Sequence, residues 1–151
     1  MGGRDRNETL RHWQRVRAPL GRVPDSPETL ALGVLARAQM IRNGFILGRT
    51  ADAAAVFAEG IDLAERLGHP EARGPLLMGY GSMRFFAGAI EEALTHYSEA
   101  VRLAEQSGND VLRFLARFVL CNVLVVRLRL RGGLAITEEG ETLDGGGRAA
   151  G

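Results

Sequence analysis

The feature that most constrains this chain is that it repeats itself. The stretch from Phe57 to Gly68 returns 40 residues later as Tyr97 to Gly108, with aromatic on aromatic, small on small, and an identical Leu-Ala-Glu core at Leu63-Ala64-Glu65 and Leu103-Ala104-Glu105. The same offset leads on to Thr137-Glu138-Glu139-Gly140 and to Leu143, and it links Gly48 to Gly88, Ala53 to Ala93 to Gly133, and Leu94 to Leu134. A register kept over two steps without slippage points to one supersecondary unit copied along the chain, each copy burying its apolar face against its neighbours.

Each period reads as two helices, so the expected fold is all-α: a solenoid of antiparallel helix pairs with a period of about 40 residues. Leu30, Val34, Leu35, Ala38, Ile41 and Phe45 share one helical face. Ser26 is the expected N-cap of that helix, Pro27 suits its first turn, Thr50 is expected to cap the next, and Gly68 to supply its left-handed stop. The pattern predicts helices over residues 8–21, 27–46, 50–67, 70–87, 89–107, 110–130 and 134–143. They form one repeat domain over 8–144, after a disordered 1–7 and before a flexible 145–151. Gly133 and Gly140 make 134–143 the weakest expected helix, because glycine inside a helix costs about 1 kcal/mol relative to alanine.

Within residues 77–100, Leu77, Tyr80, Gly81, Gly88, Ala93, Tyr97 and Ala100 have a spacing that resembles the tetratricopeptide repeat (TPR). Arg84 stands where that motif usually has an aromatic, and the period exceeds its usual length of about 34 residues. The longer strings His12 to Arg17, Ser26 to Gly33, Phe57 to Gly60 and Leu63 to Gly68 resemble the TPR-like helical-repeat tails of large bacterial adenylate/guanylate cyclase–AAA ATPase regulatory proteins, with related tails in signalling ATPases and transcriptional activators. The resemblance covers residues 8–143 and implies a regulatory or partner-sensing role in a cytoplasmic bacterial protein; it brings none of the cyclase chemistry with it.

Composition narrows the function classes. All 19 basic side chains are arginine, and without a lysine no Walker-type phosphate loop exists in this sequence. A net charge of +1 gives no general attraction to nucleic acid or an anionic membrane. The most apolar region, residues 111–130, contains Arg113, Arg117, Arg127 and Arg129, so it reads as a buried helix and not as a membrane span, which needs about 20 mainly apolar residues. A single cysteine, Cys121, forms no internal disulfide and suits a reducing cytoplasm.

Residues able to do chemistry are scattered. Gly79-Tyr80-Gly81-Ser82 lies inside a helical pattern, without the strand that a phosphate cradle follows. His12, His69 and His96 are far apart; Glu92 and His96 form a lone i, i+4 pair, short of the three or four ligands that zinc needs. Cys121 falls in an apolar run at the repeat position of Gly81, which reads as packing. Glu91-Glu92 and Glu138-Glu139 are adjacent and do not face each other on a helix, while Glu59 and Glu99 recur at one repeat position, which marks architecture. No cofactor, metal or catalytic group is expected.

One set of positions suggests a binding surface. Arg42, Ser82 and Asn122 recur at the 40-residue spacing on the first helix of each pair, beside Phe45, Phe85 and Val125. A polar column flanked by apolar residues suits a protein or peptide groove; satisfaction of local hydrogen bonds is the competing reading. The favoured function is a non-catalytic module for protein–protein interaction or regulation, with self-association through exposed end faces also expected. The alternatives are a fragment of a multidomain nucleotide cyclase–ATPase lacking the catalytic domain, and a nucleic-acid-binding segment using the arginines at 113–131, against which the charge balance argues.

Overall fold

The computed structural model describes the backbone of residues 2–20 and 22–147, and the side chains of residues 5–20, 22–132 and 134. The described residues contain helices and turns and no strand. Six α-helices follow one another: α1 (Gly2–Leu20), α2 (Pro27–Ile46), α3 (Ala53–Leu67), α4 (Gly74–Phe86), α5 (Ile90–Ser107) and α6 (Asp110–Gly147), with a 3-10 turn at Pro70–Arg73 ahead of α4.

Local chemistry sets most of the boundaries. Ser26 opens α2 through a capping box: its hydroxyl accepts the Thr29 amide at 3.2 Å, and the Thr29 hydroxyl accepts the Ser26 amide at 2.8 Å. Thr50 does not cap α3; the helix begins later, at Ala53, after Asp52, whose side chain makes no capping bond. Gly48, Gly68, Gly88 and Gly108 all have φ between +67° and +82°, the left-handed turn that ends a helix.

Consecutive helices pack antiparallel. Arg37 of α2 meets Glu59 of α3 while Gly33 faces Leu63. Gly81 of α4 lies against Tyr97 of α5, and Arg84 against Glu92. Glu105 and Glu91 of α5 meet Arg117 and Arg127 of α6. Between pairs, α2 lies beside α4, with Ile41 against Gly79 and Phe45 against Phe86. Among the described residues, α6 contacts α4 and α5 and no earlier element. Its interior runs from Leu10, Val34, Ile41 and Val56 through Leu76, Leu77 and Leu103 to Tyr97 and Val123.

Three further expectations need correcting. Residues 2–7, expected to be disordered, form the first turns of α1, where Asp5 complements the helix dipole and its carbonyl accepts the Thr9 hydroxyl. The expected helices 110–130 and 134–143 are one continuous helix that also takes in residues 145–147 of the expected tail, while 148–151 lie outside the described residues. The cause stands at Leu128, which takes the repeat position of Gly48 and Gly88. An L side chain pays about 1–2 kcal/mol to enter the left-handed region, so the stop is lost and the helix runs on. Finally, residues 111–130 are not buried all round. Ala116 and Val123 are sealed against α5, whereas Val111, Phe114, Phe118 and Leu128 are exposed.

Candidate binding surface

The first helices α2, α4 and α6 carry surface groups at matching positions. Leu35, Pro75 and Leu115 are all exposed and stand at the 40-residue spacing. Arg42, Ser82 and Asn122 keep the same offset, as do Ile46, Phe86 and Val126, with Ser82 and Val126 half-buried and the others exposed. Phe86 is 71% exposed and lies 5.1 Å from the Phe45 ring. A trough of about 890 Å³ opens where the 3-10 turn and the starts of α4 and α6 meet the end of α5, lined by Ala72, Pro75, Val111, Leu112 and Leu115 with Gln106 beside them.

Of the six residues named from sequence, Arg42 is exposed and makes no ion pair among the described residues. Asn122 is exposed, but its amide donates to the Phe118 carbonyl at 2.9 Å. The Ser82 hydroxyl is engaged internally: it donates to the Met78 carbonyl at 2.9 Å and accepts from the Tyr97 hydroxyl at 2.8 Å. Phe45 and Phe85 are half-buried against the core, and Val125 is exposed on the opposite side of α6 from α5. The polar column is therefore thinner than its spacing suggested. Sequence reasoning missed the apolar neighbours Leu35, Ile46, Phe86 and Leu115; their shared offset was the available signal, but an apolar residue in an amphipathic helix reads as core until its neighbours are placed.

A second cleft, about 520 Å³, lies between α1, α2 and the loop before α3. Leu10, Ile41 and Val56 form its floor, with Gln14, Arg49 and Asp52 at the rim. Three separate segments build it, and no local motif marks them.

The charged residues serve the packing. Glu59 receives Arg37 at 3.1 Å and also Arg17, tying α1, α2 and α3 together. Burial pushes the Arg37 guanidinium below its ordinary range and Glu59 opposes that shift, with a bond from Arg37 to the Gly33 carbonyl at 3.1 Å completing the site. Glu99, one repeat later, takes Arg102 at 2.7 Å and Arg73 at 3.6 Å. The basic stripe of α6 is largely occupied: Arg113 pairs with Asp110, Arg117 with Glu105, and Arg127 and Arg131 with Glu91.

His96 is not on a solvated face. It stands edge-on, 5.3 Å from both Phe57 and Tyr80, which stack on each other at 4.3 Å. Burial lowers its pKa; Glu92 opposes this and Arg84 reinforces it. Cys121, expected inside, is exposed, because no helix lies over it as α5 lies over its counterpart Gly81. No group of three or more metal-ligating side chains occurs among the described residues, and none of their helices is long and apolar enough to cross a membrane.

Comparison with protein-family models, with curated proteins and with solved structures returned no match to this chain.

Proposed function

We propose that this chain is a TPR-like α-solenoid that binds a protein or peptide partner along the face formed by α2, α4 and α6, with no covalent step. The observation that carries the reading is the line of exposed apolar side chains on the first helices: Leu35, Pro75 and Leu115 at successive 40-residue steps, and Ile46 with Phe86 one step apart. Apolar anchors beside a few polar groups, here Arg42 and Asn122, are what an extended or helical peptide needs from a groove. Open ends and neighbour-only packing support the solenoid. The resemblance of the longer strings to cyclase–ATPase tails supports placing such a module in a bacterial signalling protein. Pairing of the α6 arginines with acids of the same chain works against a phosphate-backbone interface.

The test is selection of binding peptides from a random library on the full chain. The selected peptides are expected to lose at least tenfold in affinity for a Leu35→Asp/Phe86→Asp variant whose thermal melt is unchanged. Peptides that bind the double variant as tightly as the parent would end the groove reading.

A further inference from the structure

One apolar surface meets the trough only at Val111. On the side of α6 directly away from α5 lie Val111, Phe114, Phe118, Cys121, Val125 and Leu128, spaced alternately three and four residues apart. Val111, Phe114, Phe118 and Leu128 are 69%, 68%, 58% and 69% exposed. In the two preceding pairs the central positions of this stripe are covered, while its ends, Ala31 and Gly48 in one and Glu71 and Gly88 in the other, are exposed. Val34 and Ile41 of α2 are buried with α3 residues in one core, and Gly81 of α4 is closed over by Tyr97 of α5. In each case the cover is an antiparallel helix. At α6 the chain does not turn back, because Leu128 replaces the glycine stop, and the face stays open.

We propose that this face is an interface between two copies of the chain, which pack α6 against α6 antiparallel about a two-fold axis passing between Val119 and Leu120. Three features favour a second copy as the cover. First, a stripe with alternating three- and four-residue spacing is the heptad seam of paired helices, and it reads the same in both directions, as an isologous contact requires. Second, the antiparallel register sets large against smaller in each layer: Phe118 on Cys121 of the second copy, Phe114 on Val125, and Leu128 on Val111. That is the complementarity a packed core needs, whereas a parallel pair would set Phe114 on Phe114 and Phe118 on Phe118. Third, the antiparallel register brings Asp110 of one copy beside Arg131 of the other, with both side chains largely exposed and open to a further contact.

The size is adequate. The stripe runs about 26 Å along the helix at 1.5 Å per residue. Side chains exposed to this extent, from both copies together, amount to roughly the 1,000 Å² that a specific interface requires. The seam is one of the exposed end faces, and it shares with the trough only Val111; Phe118, at its centre, lies outside the trough.

Sedimentation of the full chain over about 1–100 µM reads the assembly. The parent is expected to be a dimer at the upper end, and Phe118→Glu a monomer with unchanged helix content. Orientation is read in a Cys121→Ser background carrying either Val111→Cys or Leu128→Cys. Oxidation is expected to link the two variants when they are mixed and neither one alone. A parent that stays monomeric at 100 µM overturns the proposal, as does a dimer indifferent to Phe118→Glu. Disulfide formation by Val111→Cys with itself overturns the antiparallel arrangement.

Discussion

α4 and α6 stand one repeat apart, yet they end in opposite conditions. Gly81 of α4 is closed over by Tyr97 and the His96 side chain of α5; Cys121, the same position in α6, faces outward. The two helices differ in how they end. Gly88 lets the chain turn and lay α5 across α4, whereas Leu128 keeps α6 going to Gly147. The burial of an apolar stripe is thus decided by the backbone conformation at a single repeat position near the end of the helix.

Truncating the same kind of side chain in the two regions should break the comparison open most widely. Tyr97→Ala removes one of the largest fully buried side chains and is expected to cost about 3–5 kcal/mol, the range for a buried aromatic. Phe118→Ala is expected to stay within about 0.5 kcal/mol in urea denaturation at a protein concentration low enough to keep the chain monomeric. Equal losses would mean that α6 is covered within the monomer.

The glycines should show a reversal of sign. Gly88→Ala places a side chain at φ +82° and is expected to destabilise by about 1–2 kcal/mol. Gly132→Ala, inside α6 with nothing near the added Cβ, is expected to stabilise by up to about 1 kcal/mol. Thermal melts of both variants read this, and a destabilising Gly132→Ala would mean that α6 bends or breaks there.

The smallest effect concerns pH and belongs only to the closed region. The folded state holds the His96 pKa below its ordinary 6.5, so the unfolded chain takes up the proton more readily. The stability His96 contributes is present above pH 6.5 and is lost as the pH falls from there through the lower folded-state value. His96→Phe is expected to flatten the fall in melting temperature between pH 7 and pH 5, after allowance for the acids common to both proteins. An unchanged slope would assign that fall elsewhere.

Much of the architecture was legible because it rests on local chemistry repeated in register. The Ser26 cap and the stops at Gly48, Gly68, Gly88 and Gly108 all depend on residues near in sequence. The candidate site was less legible. Arg42 and Asn122 are exposed as expected, but Ser82 bonds Tyr97, 15 residues away. Leu35 reads as core from its spacing, and Phe86 carries no local mark of the surface it occupies.

The amino-acid order by itself determined that this protein is helical, that left-handed glycines stop helices at 48 and 88 and again at 68 and 108, and where most of the helices begin and end. Capping, glycine conformation and apolar periodicity act over a few residues and can be read from those residues. Only the packing of helix on helix decided which apolar faces are covered, that Glu59 gathers arginines from two other helices, and that His96 stands edge-on to both Phe57 and Tyr80. Burial is a property of what lies opposite a side chain, and that neighbour comes from a distant part of the chain or, for the outer face of α6 on the proposal above, from a second copy.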